Sequence, residues 1–405
     1  MDYMQQVKPL NILVRLITKH LALGVAALLI GAFLVSSAAA GALEEQGVQE
    51  EETPEEVFPG VSSNAAVLMD RETRRVLYAK NAERRRPMAS TTKIMTALVA
   101  LEEGKLQEKV TVSQEAASMS GSSVYLEEGE EKTLEELLYG LLLRSGNDAA
   151  VAIAEHVGGS VEEFSRIMTR RARDLGAKNT SFKNPHGLHH EEHYTTAYDM
   201  ALITSHALEN EVFSRIASSP WAVITWPGQQ WDRVLRNQNL LLGRYEGADG
   251  VKTGWTTPAG RCFVGSATRA EWQLVAVVLN APQMWEDTEV LLDYGYQSFS
   301  RQRLIRRGQV LKSVKLDRAR VDFGKVAAEE DFYYPLQPGE EKEVRYLFRL
   351  SEPVEAPIAA GQVLGKLDIR LGEEDLGGVN LVAAEDIERS PFYYFLVKLY
   401  RKHFS

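Results

Sequence analysis

The sequence of 405 residues contains a single cysteine, Cys262, so it cannot form an intramolecular disulfide. This excludes the small secreted proteins that depend on disulfide frameworks, and the stability of the chain must come from its core. Basic residues are also in the minority, with 46 Lys and Arg against 56 Asp and Glu and a formal net charge of −10. This balance argues against nucleic acid as a partner.

Long hydrophobic runs are nearly absent, with one exception at the N-terminus. Lys8, Arg15 and Lys19 precede an apolar segment at 21–35, which is followed by small residues up to position 42. A basic region, an apolar run and a small-residue cleavage site are typical of a secretory signal, so we predict a signal peptide at 1–42 and an extracytoplasmic protein. The alternative is an uncleaved membrane anchor, for which the apolar run is short.

The histidines do not form a metal-binding pattern. His189, His190 and His193 lie close together, but their spacing matches no common zinc motif, and we expect no metal. His186 lies among the turn-forming residues Asn184-Pro185-His186-Gly187, which favours a structural histidine over a general base.

Composition suggests how the rest of the chain is organised. Residues 43–58 contain seven glutamates and almost nothing to bury, which predicts an acidic linker. Residues 59–300 combine helical and strand patterns, and we expect them to form one large domain. In 301–388, short alternating apolar runs separated by Pro and Gly predict a small all-β domain.

The last segment, 389–405, has the pattern of an amphipathic helix. On a helical wheel, one side of the segment is a wide apolar arc formed by Phe392, Phe395, Leu396, Leu399 and Tyr400. The opposite side carries a basic cluster formed by Lys398, Arg401 and Lys402. Aromatic residues with a basic flank favour a helix that lies in the membrane interface, because it is too short to span a bilayer. The alternative is a helix packed on its own domain.

Local patterns within 59–300 predict an α/β fold of the α+β type. Apolar residues at 65–69 and 75–79 around a polar tetrapeptide indicate a hairpin. Thr133 and Glu136 have the spacing of a capping box, so a helix should run from there into Arg144, and another should begin at Asp148. After a turn at Gly247-Ala248-Asp249-Gly250, three adjacent antiparallel strands are expected, the first of which carries Lys252.

The segment Ser90-Thr91-Thr92-Lys93 precedes apolar residues at helical spacing, which places Ser90 at the start of a buried helix and Lys93 one turn later. A serine hydroxyl becomes a nucleophile when a nearby base takes its proton, and a lysine can be that base if burial lowers its pKa. The unpaired NH groups of the first turn are suited to hold an oxyanion. A Ser-x-x-Lys alone is weak, because about one or two are expected by chance in such a chain.

Two further motifs strengthen this interpretation. Ser145-Gly146-Asn147 follows Ser90 by 55 residues and is predicted in the break between two helices, where it would face a cleft. Lys252-Thr253-Gly254 follows Ser90 by 162 residues, on a strand that would border the same cleft. Gly254 allows a ligand backbone to approach this strand closely. Taken alone, Ser145-Gly146-Asn147 would be read as a plain turn, and Lys252 as a solvated residue on a strand edge.

The three motifs in this order, with the signal segment, the β-rich tail and the terminal helix, resemble the low-molecular-mass penicillin-binding proteins that are serine-type D-alanyl-D-alanine carboxypeptidases. Longer strings at 184–188, 193–197 and 247–254 share the resemblance. It implies a β-lactamase/transpeptidase-like catalytic domain, in which helices flank an antiparallel sheet, and a protein that is secreted across the cytoplasmic membrane and peripherally associated with it.

The resemblance also implies roles for individual residues. Ser90 would attack the penultimate carbonyl of a peptidoglycan stem peptide ending in D-Ala-D-Ala, Lys93 would receive its proton, and Ser145 would pass a proton to the leaving amine. The backbone NH groups of Ser90 and Trp255 would form the oxyanion hole. The substrate would be held by Asn147, Lys252, Thr253, Gly254 and Trp255. No cofactor is required, and β-lactams would acylate Ser90.

One departure and two alternatives remain. Some relatives have an arginine in the middle of an Asn-x-Asn that helps to bind the substrate carboxylate, whereas this chain has Gln238. A class A β-lactamase would share the first and third motifs but carry Ser-Asp-Asn and a Glu-x-x-Leu-Asn. This chain has Ser-Gly-Asn instead, and no Glu-x-x-Leu-Asn lies between Asn147 and Lys252. A non-catalytic β-lactam-sensing or wall-binding protein would be expected to have lost part of at least one motif.

Overall fold

The computed structural model describes residues 59–404, so the predicted signal peptide and acidic linker lie outside the described residues. Among the helices of this part of the chain, none is both long enough and apolar enough to cross a membrane.

The region that ends at residue 298 contains both strands and helices. Its strands are β1 (Ala65–Asp70), β2 (Val76–Lys80), β3 (Lys109–Thr111), β4 (Glu131–Thr133), β5 (Trp221–Ile224), β6 (Arg233–Arg236), β7 (Ala248–Thr256), β8 (Gly260–Arg269) and β9 (Trp272–Leu279). Its α-helices are α1 (Lys93–Glu103), α2 (Gln114–Ala117), α3 (Leu134–Leu143), α4 (Asn147–Gly158), α5 (Val161–Asp174), α6 (Ala197–Ala207), α7 (Glu211–Ser218) and α8 (Met284–Ser298).

Five strands form the central sheet, in the order β2-β1-β9-β8-β7, and every neighbouring pair is antiparallel. The predicted hairpin is confirmed, since Val67 pairs with Ala79 in the β1–β2 register. The three predicted adjacent strands are also confirmed as β7, β8 and β9. Strand β7 lies at one edge of the sheet. It begins at Ala248, so most of the residues predicted to form a turn at 247–250 belong to the strand instead.

Both faces of this sheet are buried. Val67 and Met69 of β1 point into a core shared with the helices from α1 to α7, whereas Ala66 and Leu68 point into a second core against α8. A strand buried on both sides needs a continuous apolar run, and β1 has one. The expectation of an antiparallel sheet flanked by helices is therefore confirmed.

Helix α3 begins at the predicted capping box. The Thr133 hydroxyl accepts a hydrogen bond from the Glu136 NH at 3.1 Å, and the Glu136 carboxylate accepts one from the Thr133 NH at 2.9 Å. The sequence predicts a helix that runs into Arg144, and the helix ends at Leu143 with Arg144 as its C-cap. Helix α4 begins at Asn147, one residue earlier than expected, so only Ser145 and Gly146 lie in the break.

The region from Ser300 to Ala383 is all-β apart from one short 3-10 turn, which confirms the β-rich structure predicted from its short alternating apolar runs. Its strands are β10 (Ser300–Ile305), β11 (Val310–Asp317), β12 (Phe323–Ala328), β13 (Phe332–Leu336), β14 (Val344–Leu350), β15 (Val354–Glu355), β16 (Val363–Leu371) and β17 (Glu374–Ala383). Six of them form a sheet in the order β14-β16-β17-β12-β11-β15, and β10 pairs with β13. Ion pairs from Arg75 to Glu340 (2.5 Å) and from Arg301 to Glu72 (2.7 Å) connect this region to the β1–β2 hairpin.

The terminal segment forms helix α9 (Pro391–Phe404). The Arg318 guanidinium lies 4.5 Å from the Tyr393 ring, close to the start of the helix. The apolar arc predicted from the sequence is exposed to solvent at Phe392, Phe395, Leu396, Leu399 and Tyr400.

Replacement of the helix cap tests the contribution of the capping box. Thr133→Ala removes the acceptor for the Glu136 NH and should lower the free energy of unfolding by about 1 kcal/mol, measured by urea denaturation. The matched control is Thr257→Ala, because Thr257 is exposed and makes no side-chain hydrogen bond to a described residue. Equal effects of the two substitutions would contradict a stabilising cap.

Candidate active site

Ser90 lies in a 3-10 turn (Ala89–Thr92) that leads directly into α1, rather than in the α-helix itself. Two glycines hold the backbone of this turn in place. A Cβ at Gly187 would come within 2.0 Å of the Ala89 carbonyl oxygen, and a Cβ at Gly254 would come within 2.8 Å of the Ser90 nitrogen. Gly187 also has a φ of +90°, which side chains disfavour, so both positions require glycine.

Lys93 is the first residue of α1, and its side chain is fully buried beneath Ser90. Its amine lies 3.2 Å from the Ser90 hydroxyl oxygen. It also donates hydrogen bonds to the Asn147 side-chain oxygen at 2.7 Å and to the His186 carbonyl oxygen at 2.6 Å. The structure thus brings together the predicted residues Ser90, Lys93 and Asn147.

The surroundings of Lys93 disfavour a positive charge. Burial, reinforced by the charge of Lys252, lowers the pKa of Lys93 well below its ordinary value, and the Asp148 carboxylate partly opposes this shift. A buried lysine with a lowered pKa is available as a proton acceptor near neutral pH.

Ser145 and Asn147 lie on either side of the start of α4. Ser145 is buried and has a φ of +62°, a left-handed conformation that is costly for a residue with a side chain. The Asn147 side-chain NH2 group donates to the Ser120 carbonyl oxygen at 2.7 Å, which fixes its oxygen toward Lys93. The Ser145 hydroxyl lines the same cleft as Ser90 and makes no hydrogen bond to a described residue.

The third motif lies on edge strand β7. Lys252 is buried, and its amine donates to the Thr253 carbonyl oxygen at 3.1 Å. Burial lowers the pKa of Lys252 to about 7. Gly254 faces the turn that carries Ser90, and Trp255 is 65% exposed at the edge of the cleft.

These elements enclose an open cleft of about 430 Å³. It is lined by Ser90, Ser122, Ser145, Gln238, Thr253, Gly254, Trp255, Arg261, Met284 and Trp285. Lys93, Asn147 and Lys252 are not among the lining residues and lie below its surface. The cleft thus offers an uncharged hydroxyl at its floor, with two buried amines close behind.

Sequence reasoning missed the role of one backbone group. The His186 carbonyl oxygen accepts from Lys93, a contact that no side-chain pattern announces. The His186 ring nitrogen accepts from the Leu188 NH at 3.1 Å, and burial together with the charge of Lys93 lowers its pKa to about 3. These contacts agree with the interpretation of His186 as structural.

Asp148, which directly follows the second motif, was also missed. Its buried carboxylate accepts from the Ser123 hydroxyl at 2.6 Å and from the Val124 NH at 3.0 Å, and so it fixes the loop next to the cleft. A charged residue at the first turn of an apolar helix was the available signal.

Comparisons with known proteins agree with this geometry. A family model for D-alanyl-D-alanine carboxypeptidases matches residues 49–283. A second model, for the C-terminal domain of penicillin-binding protein 5, matches residues 299–389.

Individual relatives match over most of their length. The D-alanyl-D-alanine carboxypeptidase DacF of Bacillus subtilis is 37% identical over 91% of this chain and 95% of that protein. The crystal structure of penicillin-binding protein 5 from Haemophilus influenzae is 31% identical and covers 82% of this chain and 99% of its own, with a TM-score of 0.67. That of a peptidoglycan synthesis regulatory factor (PBP3) from Streptococcus pneumoniae is 27% identical and covers 81% and 100%, with a TM-score of 0.71.

The buried Lys252 makes stability depend on pH. Its pKa is about 7 in the folded protein and about 10.4 in an unfolded chain, so between these values the unfolded state binds more protons and the free energy of unfolding rises with pH. Lys252→Met removes this dependence. The stability of the variant relative to wild type should be highest near pH 7 and fall as the pH approaches 10, by at most about 1.4 kcal/mol per pH unit.

Urea denaturation at a series of pH values measures this difference. The exposed Lys366 is solvated in both states, so Lys366→Met provides the baseline. A difference between Lys252→Met and wild type that stays constant from pH 7 to 10 would contradict the assignment.

Proposed function

The chain belongs to the D-alanyl-D-alanine carboxypeptidase family and acts as such a carboxypeptidase, and on this premise we propose that Ser90 is its nucleophile and Lys93 its general base. Its substrate is the peptidoglycan stem peptide that ends in D-Ala-D-Ala. The terminal D-alanine is released through an acyl-enzyme on Ser90, and β-lactams acylate the same hydroxyl.

The hydrogen bonding of Lys93 is the observation that carries this proposal. A neutral amine has two N–H bonds and one lone pair. The Asn147 and His186 oxygens, at 2.7 and 2.6 Å, accept the two N–H bonds. The lone pair of the neutral amine then faces the Ser90 oxygen at 3.2 Å. The Ser90 hydroxyl, which donates to the His186 carbonyl oxygen at 3.4 Å, need only rotate to give its proton to this lone pair, as a general base requires.

The first half of the reaction forms the acyl-enzyme. The Ser90 oxygen attacks the carbonyl carbon of the penultimate D-alanine while its proton moves to the Lys93 nitrogen. The NH groups of Ser90 and Trp255 stabilise the oxyanion. The C–N bond then breaks, and Ser145 passes a proton to the departing amine of the terminal D-alanine as Lys93 returns to the neutral form.

The second half restores the enzyme. A water molecule attacks the ester carbonyl and gives a proton to Lys93, and the bond from the carbonyl carbon to the Ser90 oxygen breaks. The proton on Lys93 returns to the Ser90 oxygen. The net reaction consumes one water and yields a shortened peptide and one free D-alanine, and it needs no cofactor.

Substrate binding belongs to the walls of the cleft. Asn147, held by Ser120 and Lys93, lies where it would orient the substrate amide. Thr253 and Gly254 on edge strand β7 line the cleft, so an extended peptide can lie beside this strand without meeting a side chain at Gly254. Thr253 and the buried, partly charged Lys252 lie near the carboxylate end of the peptide without forming its ion pair.

We also propose that residues 59–300 and 301–388 act as the catalytic and β-rich domains of an extracytoplasmic enzyme that is secreted with the help of the signal at 1–42. Helix α9 then holds the enzyme at the membrane surface. Its exposed apolar arc can insert into the membrane interface, and its basic residues favour anionic lipid. The acidic linker at 43–58 becomes the N-terminal end of the mature chain.

Release of free D-alanine from a D-Ala-D-Ala peptide tests the function directly. The wild-type protein should release it, and Ser90→Ala should lower the rate by at least about 1,000-fold while also abolishing labelling by a fluorescent penicillin. Ser351→Ala, an exposed serine of the β-rich region, is the matched control and should retain both activities.

The outcome separates three functions. Rapid hydrolysis of penicillin without release of D-alanine would indicate a β-lactamase, and labelling with neither product would indicate a sensor. Labelling that persists in Ser90→Ala would place the nucleophile elsewhere. Unchanged circular dichroism of the variant excludes loss of the fold as the cause.

Membrane association is tested by one substitution in α9. Phe395→Asp in residues 43–405 should weaken binding to anionic lipid vesicles by at least about tenfold, because it places a charge where the exposed aromatic ring would enter the membrane interface. Phe323→Asp is the control, since Phe323 is similarly exposed but lies in the β-rich region. Equal vesicle binding of both variants in a cosedimentation assay would contradict a membrane role for α9.

A further inference from the structure

The cleft contains one charged side chain for which neither the motifs nor the proposed mechanism has a use. Of the residues that line it, Arg261 alone carries a full charge, since the others are hydroxyl, amide, apolar or aromatic residues or glycine. Arg261 is exposed on β8, and its side chain makes no hydrogen bond or ion pair to a described residue. Glu286, an acidic neighbour on α8, forms its ion pair with Arg244 at 3.2 Å, and hydrogen bonds together with the charges of Arg244 and Arg261 lower the pKa of Glu286.

The register of the sheet places Arg261 beside the reacting centre. It lies directly opposite Trp255 in the antiparallel β7–β8 pair, so the two side chains project from the same face of the sheet. Directly paired residues of neighbouring strands have Cβ atoms only about 5 Å apart. The guanidinium therefore lies within one side-chain length of the strand along which the substrate is proposed to bind.

The other cations near the cleft are less suited to meet an anion. Lys252 is buried, its amine is turned toward the Thr253 carbonyl oxygen, and its pKa of about 7 leaves it only partly charged at neutral pH. Lys93 is required in the neutral form. Gln238 lines the cleft but is uncharged, so the position that is arginine in some relatives supplies no cation.

We propose that Arg261 is the carboxylate-binding residue of this cleft, and that its guanidinium forms a two-pronged ion pair with a carboxylate of the peptide substrate. The planar guanidinium offers parallel N–H donors that match the two oxygens of a carboxylate. Because it is permanently charged, it can hold an anion without disturbing the neutral state of Lys93. This inference rests on the proposed function and specifies which side chain selects its substrate.

Two carboxylates of a stem peptide have this chemistry. One is the terminal carboxylate of the last D-alanine, and the other is a free side-chain carboxylate at the third residue of the stem. The two sources are distinguished with a pair of D-Ala-D-Ala peptides, one with lysine at that residue and the other with a diaminodicarboxylic acid.

The experiment measures D-alanine release by Arg261→Met and by the control Arg236→Met. Arg236 is an exposed arginine on β6 that does not line the cleft. We expect Arg261→Met to raise KM by about tenfold or more with kcat within about twofold of wild type, since the loss is one of charge-assisted binding. The KM of Arg261→Lys should lie between those of wild type and Arg261→Met, because lysine keeps the charge but lacks the planar guanidinium.

The peptides identify the carboxylate. A rise in KM on both peptides assigns the terminal carboxylate, and a rise only on the diaminodicarboxylic peptide assigns the side-chain carboxylate. An unchanged KM on both peptides, with wild-type release intact, would overturn the assignment of Arg261 and leave the proposed function standing.

A second readout does not depend on peptide turnover. Benzylpenicillin carries one carboxylate, in the place of the terminal carboxylate of the peptide, and its methyl ester lacks it. If Arg261 pairs with the terminal carboxylate, Arg261→Met should slow acylation of Ser90 by the acid about tenfold and leave acylation by the ester unchanged. This comparison holds even if wild type released no D-alanine and the proposed function failed, and equal acylation of wild type and Arg261→Met by benzylpenicillin would overturn the assignment to the terminal carboxylate.

Discussion

The structure depends on keeping one amine, that of Lys93, buried beneath the cleft. An ammonium group in such surroundings is costly, and the protein lowers this cost by favouring the neutral form. Helix α1 supplies the lysine, the first residue of α4 supplies the Asn147 side chain, and the turn at 184–188 supplies a carbonyl oxygen. Three segments far apart in the chain must therefore fold together before the Lys93 amine is held beside Ser90.

This requirement explains why the elements around the cleft meet as they do. The 3-10 turn that carries Ser90 contacts β7 at Gly254 and the turn at 184–188 at Gly187. Neither contact leaves room for a side chain at the glycine. Asp148 holds the loop at 123–126 through its carboxylate, which keeps Asn147 beside Lys93. The second buried amine, that of Lys252, adds its field to the shift of the first.

Much of this arrangement could be predicted because its residues lie at boundaries that local patterns reveal. The box at Thr133 sets the start of α3, alternating and continuous apolar runs give the strands, and the three motifs fall at helix starts or on an edge strand. Contacts made by backbone atoms could not be predicted, since the His186 carbonyl has no signature in the sequence. The position of Arg261 opposite Trp255 depends on the register set by the turn between β7 and β8, which composition does not reveal.

The close approach of Gly187 and Gly254 to the turn that carries Ser90 has a consequence for antibiotic resistance. In the proposed mechanism the peptide and a β-lactam react at the same Ser90 hydroxyl, so a change that displaced this turn would slow the reaction with both. Evasion that preserves turnover must therefore arise on the outer walls of the cleft, where the bulk of the drug and that of the peptide differ. The Trp255 side chain is exposed at that rim, so substitutions there are expected to alter access of the drug more than the position of Ser90.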